Sequence, residues 1–412
     1  MAATALADLE LPELTYPDPE LRGDRFHEVM LQLREAGWAA GSNIGWLFVL
    51  DHEAANFFLR SHSVEFPSKT VAAAFGITEG PLADAIAENL ISIEGADHRR
   101  LRNLVNPAFK PGEANRRRDS MRAHLAELWA GPEAAGECEF ATEVARHYPS
   151  RMIAELVGAP VDDALRLYDW AVWFQRQFDP EAILAEREGI EAAITEFHGY
   201  AGGLIEARRS DPQDDLISLL LGATYEGDRL SDNECLNLVM NVIAGGVDTT
   251  AAQLSHAVRL FARYPDQWQL LREDPELVDA AVDEVLRFEP ITPFTARMTF
   301  EDVEFRDVVV PAQTVVMIST HAANRDPALT EAPDVFDIAA DRGKVKLMTF
   351  GAGIHNCLGM NLAKAELQEA FRFLAERVES WELAGEPVFE SVAGVYGLER
   401  LPVRFTAATR PD

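Results

Sequence analysis

Apolar residues recur every three to four positions along most of the chain, as they do in helices that pack one face against a core. This spacing predicts helices over the ranges 24–36, 51–60, 98–109, 113–129, 142–157, 162–178, 181–209 and 275–288, and after residue 357 to about 378. A much longer helix is predicted from Ser231 to about Tyr264, and Ser231 with Glu234 has the spacing of a capping box. Alternating apolar positions predict strands over 45–50, 298–310 and 314–319, and strands with turns over 383–407. The predicted fold is mainly α-helical with a smaller β part.

Residues 61–93 do not follow either pattern and contain Pro67, Gly80 and Pro81. Irregular stretches of this length are uncommon in compact domains unless they have a function. No Gly/Ser-rich or Pro-rich linker, low-complexity tract or internal repeat divides the chain, and 48% of its residues are hydrophobic. We therefore expect a single domain over residues 1–412, with a long loop within it.

Acidic residues outnumber basic ones, 68 to 37, which gives a formal net charge of −31. Such a surface repels phosphate backbones, so nucleic acid is not an expected partner. Residues 1–14 contain no Lys or Arg and lack the apolar run of a signal peptide. No stretch has the roughly 18 consecutive apolar residues that indicate a membrane-spanning helix. We expect a cytoplasmic, monomeric protein without a membrane partner.

The three cysteines, Cys138, Cys235 and Cys357, are too few and too scattered for a disulfide framework or a zinc cage. Cys357 differs from the others in its neighbourhood, because residues 350–359 read FGAGIHNCLG, with three glycines. Glycines allow close backbone approaches, and the cysteine lies where the next helix is predicted to begin, a position that stabilises a thiolate. A thiolate is a strong donor to haem iron. The alternative is an ordinary glycine-rich turn with a buried cysteine.

This ten-residue string resembles the haem-binding signature of the cytochrome P-450 superfamily, in its soluble bacterial form with His355 two residues before the cysteine. The resemblance extends from about His98 to residue 403 and is loose over the first ninety residues. It implies a helix-rich triangular prism with haem b between the threonine-bearing helix and the cysteine helix. It also implies a monooxygenase in which Cys357 is the iron ligand.

Within the long predicted helix, residues 244–250 read AGGVDTT. Two glycines inside a helix cost roughly 1 kcal/mol each relative to alanine, so they need a packing reason. A flat ligand against the backbone is one reason, and a close helix crossing is the other. Asp248 and Thr249 match the acid and alcohol that deliver protons to bound dioxygen in the superfamily.

Other segments match the superfamily's structural positions. Glu284 and Arg287 match its helical Glu-x-x-Arg pair, to which we assign no chemistry, and Arg325 is expected in the same ion network. His98, Arg102 and Arg297 match haem-propionate ligands, with a further contribution expected from His355. Leu347 replaces a histidine that often serves as another propionate donor.

The resemblance implies the following haem contacts: Ile91, His98, Arg102, Phe109, Ala244, Gly245, Arg297, Thr349, Phe350, Gly351, His355 and Ala363. It implies the following substrate contacts: Val242, Val247, Thr292, Phe294 and Val395. The predicted loop 70–91 has no Lys or Arg. A carboxylate substrate would need a cation or donors there, so we expect a neutral, largely apolar small molecule.

No flavin or nicotinamide motif is visible, so electrons must come from another protein. Residues 98–118 hold seven basic residues and only one acid, a basic island on an acidic protein. We expect an iron–sulfur ferredoxin, reduced by its NAD(P)H reductase, to dock there, with O2 as co-substrate.

Three other functions stay open at this point. A peroxide-using or oxidative-coupling haem-thiolate enzyme needs less of the proton relay that Asp248 and Thr249 indicate. A haem protein that senses or stores a ligand needs none of it. A helical binding protein without haem would leave the cysteine loop unexplained.

Overall fold

Helices account for 57% and strands for 13% of the chain in a computed structural model that describes residues 4–343 and 346–409. This confirms the predicted mainly α fold with a smaller β part. The chain forms two compact units. The sheet unit comprises the residues up to Ser68, Asp283–Cys357 and Phe389–Tyr396, and the helical unit comprises Lys69–Val282, Leu358–Val388 and the residues from Gly397. The expectation of a single domain stays a prediction.

The α-helices are α1 (Gly23–Ala36), α2 (His52–Arg60), α3 (Ser68–Ala74), α4 (Pro81–Glu88), α5 (Gly95–Val105), α6 (Pro111–Arg116), α7 (Arg118–Ala135), α8 (His147–Val157), α9 (Ala164–Gln175), α10 (Pro180–Ala185), α11 (Arg187–Ser210), α12 (Leu216–Gly222), α13 (Asp232–Gly246), α14 (Asp248–Arg263), α15 (Pro265–Glu273), α16 (Val278–Phe288), α17 (Thr320–Ala323) and α18 (Met360–Ala375). Short 3₁₀ turns lie at Leu6–Asp8, Asn106–Phe109, Val161–Asp163, Arg176–Phe178, Pro275–Leu277 and Gly353–His355, and a π turn lies at Ala141–Ala145.

The strands are β1 (Thr4–Ala5), β2 (Glu13–Leu14), β3 (Ala39–Ser42), β4 (Leu47–Val49), β5 (Val64–Glu65), β6 (Glu137–Glu139), β7 (Phe294–Thr299), β8 (Val303–Phe305), β9 (Val308–Val310), β10 (Val315–Ser319), β11 (Val378–Leu383), β12 (Val388–Phe389), β13 (Leu398–Arg400) and β14 (Pro402–Ala407). The sheet unit contains a six-stranded sheet in the order β2-β3-β4-β10-β7-β5 and a three-stranded sheet in the order β1-β9-β8. In the helical unit, β11, β14 and β6 form a further sheet.

Two predicted elements differ from the observed ones. The segment 61–93 is not one long loop, because it contains β5, α3 and α4. Pro81 stands in the first turn of α4, where its missing N–H costs nothing, and Gly80 before it has a φ of +93°. The predicted helix 231–264 is two helices, α13 and α14, that meet at Val247. Its start is as predicted, since Ser231 and Glu234 form a capping box.

Each unit has its own core. In the sheet unit, apolar side chains of α2, β4 and β10 are buried together with Met348 and Ala352, which flank the start of the cysteine loop. In the helical unit, Trp129, Trp381 and Phe405 pack in tilted or edge-to-face pairs with ring centroids 4.7 to 5.9 Å apart. Asp232–Arg263 is long and apolar enough to cross a membrane by length and composition alone, but 72% of its apolar 18-residue window is buried inside the protein, as in a core helix.

Candidate functional site

The cysteine loop lies in the sheet unit and is a tight turn. The N–H of Cys357 donates to the carbonyl of Phe350 at 2.9 Å. Gly351 and Gly353 have φ values of +66° and +73°, in the left-handed region that favours glycine. A Cβ at Gly353 would lie 2.4 Å from the carbonyl oxygen of Leu59. The loop therefore packs backbone against backbone on the end of α2, and only glycine fits at 353.

A chain of hydrogen bonds holds the residues just before the loop. Asn324 accepts from the N–H of Met348 at 2.7 Å and donates to the hydroxyl of Thr349 at 2.8 Å. Thr349 in turn donates to the carbonyl of Leu286 at 2.7 Å. Asn324 is 5% exposed, so these bonds form away from water and fix the approach to the loop.

Cys357 is exposed, whereas Cys138 and Cys235 are buried. Burial raises the pKa of Cys138 to about 12 and that of Cys235 to about 11, so both stay as thiols at neutral pH. The helix after the loop begins at Met360, so the prediction that it begins at Cys357 was wrong by three residues. Accessibility, and not a place in the first helical turn, distinguishes Cys357 from the other cysteines.

The Glu284–Arg287 pair is a buried bidentate ion pair in the sheet unit, with N–O distances of 2.7 and 2.8 Å. Glu284 also accepts from Arg342 at 2.9 Å and from the N–H of Asp337 at 2.9 Å. Burial raises the pKa of Glu284, but Arg287, Arg342 and the N–H of Asp337 together lower it overall. These contacts match the structural role expected of the pair.

Arg325 forms its own buried contacts near that pair, and its Nε lies 3.6 Å from Asp334. Its guanidinium lies 4.2 Å above the ring of Phe288 and donates to His27 at 3.2 Å. His27 also contacts Glu289 at 3.0 Å. Burial lowers the pKa of Arg325 to about 9. Arg325 therefore takes part in a buried ion network, as expected, through Asp334 and Glu289 and not through a contact with Glu284.

The other predicted site residues of the sheet unit lie around β7. Phe294 and Arg297 are on this strand and are 6% and 4% exposed. The carbonyl of Thr292 accepts a hydrogen bond from the hydroxyl of Thr320 at 2.5 Å. Val395 lies next to Tyr396, and the N–H of Tyr396 donates to the carbonyl of Ile291. This brings the predicted substrate residues 292, 294 and 395 to one region. Lys346 donates from its Nζ to the amide oxygen of Asn356 at 3.3 Å, beside the position that lacks the expected histidine.

In the helical unit, the glycine and acid–alcohol segment lies where α13 ends and α14 begins. Val247 separates the helices with φ −94° and ψ −68°. The hydroxyl of Thr249 donates to the carbonyl of Gly245, one turn back, at 2.5 Å. Gly245 is exposed, and a Cβ there would meet no atom within 4 Å. Gly246 is closely packed instead, because its Cβ would lie 2.5 Å from Ile153.

Asp248 is a buried carboxylate with two polar neighbours. Burial raises its pKa to about 6, and the hydrogen bond from Tyr168 and the charge of Arg146 oppose that rise. The guanidinium of Arg146 lies 4.7 Å above the Tyr168 ring. Near neutral pH such a carboxyl can both accept and release a proton, as a relay requires.

The remaining predicted haem residues are distributed over the helical unit. His98 and Arg102 lie one turn apart on α5, with His98 2% exposed. The carbonyl of Phe109 accepts a hydrogen bond from the side-chain amide of Asn361 at 3.0 Å. Asn361 is on α18, two residues before Ala363. Ile91 follows Leu90, whose N–H donates to Asn241 of α13 at 2.7 Å.

Ala244 and Val242, also on α13, are 8% and 7% exposed, and Val247 is fully buried. Val247 therefore presents no surface to a substrate in this conformation.

Intramolecular ion pairs neutralise much of the predicted basic island. Four of its seven cations contact acids: Arg100 with Glu234, Arg116 with Asp214 at 3.1 Å, Arg117 with Glu113 at 3.8 Å and Arg118 with Glu369 at 2.6 Å. Arg99 and Lys110 are exposed and have no ion pair within the described part of the chain.

The helix interruption is surrounded by Tyr168, Arg146 and Gln175, none of which was predicted from the sequence as a site residue. Their partners lie roughly 70 to 100 positions away along the chain. No local pattern marks them, because each is an ordinary member of an amphipathic segment.

The accessible thiol, the glycine-lined loop and the open glycine at the helix interruption each suit a flat, iron-bearing ligand. Residues 42–377 match the family model described as Cytochrome P450. The chain belongs to the cytochrome P450 family. This P450 is 34% identical to luteothin monooxygenase from Streptomyces thioluteus, over 97% of both chains.

It is also 35% identical to vitamin D(3) 25-hydroxylase from Pseudonocardia autotrophica, over 76% of this chain and 77% of that one. Among solved structures, it resembles P450BioI in complex with hexadec-9Z-enoic acid ligated acyl carrier protein. The TM-score is 0.85 at 27% identity, over 93% of this chain and 99% of that chain.

These similarities confirm the P450 fold, the monooxygenase class and haem b as the cofactor. A P450 monooxygenase uses O2, redox partners and an organic substrate.

Proposed function

We propose that this P450 is a ferredoxin-supported monooxygenase that hydroxylates a neutral, largely apolar small molecule, with Cys357 as its thiolate ligand. One observation supports the ligand assignment above the others: Cys357 is the exposed cysteine of a glycine-lined loop, while the other two are buried thiols. When bound, the haem supplies oxygen activation, which a thiolate promotes. The protein's part is to hold the ligand, place the substrate and supply protons.

A carbon monoxide difference spectrum of the reduced protein tests the ligand. We expect a Soret band at about 450 nm, which requires a thiolate. Cys357→Ser should abolish that band, and Cys138→Ser, a change at a buried thiol, should keep it. A band that survives Cys357→Ser would refute the assignment.

We further propose that Asp248 and Thr249 deliver protons on the oxygen-binding side of the haem. The buried carboxyl of Asp248 can hold a proton near neutral pH, and the Thr249 hydroxyl lies one turn from the open glycine 245. Asp248→Asn should lower turnover by about 10²- to 10⁴-fold, the usual contribution of a general acid. Thr249→Ala should raise peroxide release per NAD(P)H oxidised.

The propionates would be held by His98 and Arg102 of α5 and by Arg297 and His355 of the sheet unit. Arg297 is 4% exposed, and a buried guanidinium favours an anionic partner. Lys346, whose Nζ reaches the cysteine loop at Asn356, is a cation near the position of the missing histidine. Arg297→Leu should weaken haem retention during gel filtration, whereas Arg306→Leu, a change at a surface ion pair with Glu53, should not.

Arg99 and Lys110 support a ferredoxin site in this P450, since they are exposed cations on a protein of net charge −31. Four neighbouring cations already contact acids, which leaves a smaller site than the sequence predicted. Arg99→Glu and Lys110→Glu should reduce the rate of reduction by a plant-type ferredoxin and flatten its dependence on ionic strength. A rate of reduction that is the same in wild type and in both variants, and that does not change with ionic strength, would refute this docking site.

The segment that contains α3 and α4 supports an apolar substrate. Residues 70–91 contain no Lys or Arg, and the carboxylate of Glu88 accepts hydrogen bonds from Asn233. One relative is a vitamin D(3) 25-hydroxylase, and vitamin D3 is itself neutral and apolar. Type I spectral shifts with steroids or terpenes, and none with benzoate, are the expected result; the reverse would refute it.

A peroxide-driven or oxidative-coupling activity is the alternative within the same family. The buried acid at Asp248 favours the O2 route, because peroxide already carries the protons that a relay would deliver. Turnover with hydrogen peroxide that exceeds turnover with O2 and ferredoxin would favour the peroxide-driven alternative.

We also propose that the protein is cytoplasmic and monomeric.

A further inference from the structure

Helix α9 contacts both sides of the interruption between α13 and α14. From its last residue, Gln175 donates its side-chain amide to the carbonyl of Ala244 at 2.6 Å. From two turns earlier, Tyr168 donates its hydroxyl to the carboxylate of Asp248. Residues seven apart lie on one face of a helix, so a single face of α9 reaches the interruption twice.

The two contacts act on different parts of the interruption. The carbonyls of Ala244 and Gly245, which precede it, accept from side chains, namely those of Gln175 and Thr249. A side-chain donor to a helical carbonyl competes with the main-chain ladder and allows the helix to open. Tyr168 acts on the other side of Val247, where its hydroxyl donates a hydrogen bond to the Asp248 carboxylate.

The surroundings make the Tyr168–Asp248 contact well defined. Both residues are 8% exposed, so water competes little for the hydrogen bond. Arg146 lies 4.7 Å above the Tyr168 ring, which restricts that ring. The hydroxyl of Tyr168 and the charge of Arg146 both lower the pKa of the Asp248 carboxyl.

We propose that Tyr168 and Gln175 are positioning residues of the proton relay, which from one face of α9 hold the Asp248 carboxyl and the Ala244 carbonyl in place. This proposal rests on the proposed role of Asp248 and Thr249. No residue of α9 takes part in the chemistry itself; α9 sets where the acid and the hydroxyl lie. A shift of α9 would therefore change proton delivery without any change at Asp248 or Thr249.

Tyr168→Phe tests the first contact, since it keeps the ring under Arg146 and removes only the hydroxyl. The readout is the infrared difference spectrum between pH 5 and pH 8 of the haem-loaded protein, in which the Asp248 carboxylic acid band is assigned by its loss in Asp248→Asn. We expect the midpoint of this band to move to higher pH in Tyr168→Phe, because the carboxylate loses a donor.

Tyr200→Phe is the matched control. The Tyr200 hydroxyl donates to Asp163 at 2.7 Å, and Arg166 lies 5.2 Å above the Tyr200 ring, so the same kinds of contact are present away from the interruption. The control should leave the Asp248 band unchanged. An unchanged band in Tyr168→Phe, or an equal shift in the control, would overturn the assignment of Tyr168.

Gln175→Leu tests the second contact by hydrogen exchange of peptides that cover residues 244–250. We expect at least a tenfold change in exchange rate there relative to wild type. Gln177→Leu is the control, because Gln177, in the 3₁₀ turn that follows α9, donates to the carbonyl of Phe174 of α9 at 2.6 Å. Equal effects of the two substitutions would overturn the role of Gln175.

Neither readout depends on turnover, so the inference and the proposed function can fail separately. If Asp248→Asn keeps full monooxygenase activity, the relay fails and the positioning role fails with it, whatever the infrared band shows. If Asp248→Asn is impaired but Tyr168→Phe leaves the band unchanged, the relay stands and the positioning role alone fails.

Discussion

Replacement of Asp248 by asparagine should make the protein more stable at alkaline pH while it impairs catalysis. The side chain keeps its shape but loses the carboxylate, whose burial the fold disfavours. Folding raises the Asp248 pKa from 3.8 to about 6, so the folded state holds this proton more tightly than the unfolded state does. The resulting stability is present below pH 3.8 and is lost as the pH rises through 6.

The magnitude follows from that shift. About two pKa units correspond to about 3 kcal/mol over the whole titration. About 1.4 kcal/mol of this is lost between pH 5 and pH 8, because at pH 5 the unfolded carboxyl is already ionised. For 412 residues this corresponds to about 2 °C in Tm. The asparagine variant should not show this loss.

Thermal unfolding of both haem-loaded proteins, scanned from pH 5 to pH 8, measures the effect. The scan stops at pH 5 because the isoelectric point is near 4.7. The Tm of the variant minus that of wild type should grow by about 2 °C as the pH rises. Asp162→Asn, at an exposed position, should give a flat difference. A difference that is flat or falls for Asp248→Asn would refute the raised pKa.

Two substitutions test the packing of the sheet unit. Gly353→Ala should destabilise the protein by more than the roughly 1–3 kcal/mol of a strained φ, because the new Cβ meets the carbonyl of Leu59. Gly351→Ala should cost only that backbone strain. Urea unfolding of the two variants measures the difference. Glu284→Gln should cost about 3–5 kcal/mol by leaving buried guanidinium charge unbalanced. Glu53→Gln, at an exposed ion pair, should cost less than about 1 kcal/mol, and equal losses in this pair would contradict the role of burial.

The features that could be predicted from sequence are those with a local cause. The cysteine loop was found because its glycines, Phe350 and Cys357 fall within ten residues. The capping box at Ser231 and the bond from Thr249 to Gly245 also depend on neighbours within one turn. Each is determined by a few dihedral angles and one hydrogen bond, so spacing alone indicates it.

The features that could not be predicted depend on distant partners. Nothing near Tyr168 or Gln175 indicates that they face residues roughly 70 to 80 positions away. The basic island shows the same limit for charge, because the charge of Arg118 is balanced by Glu369, 251 positions away along the chain. Pro81 misled for a different reason, because a proline that ends one element can equally begin the next.

The central strand pairing of the sheet unit has a consequence for biosynthesis. Strand β4 pairs in parallel with β10, so Leu47 meets Val316 only after about 270 further residues have been made. At about 5–20 residues per second, β4 leaves the ribosome roughly 15–50 s before its neighbour exists. During that interval its main-chain groups on the β10 side are an open template for another nascent chain. The yield of soluble protein should therefore depend on translation speed and on chaperones that shield the first seventy residues.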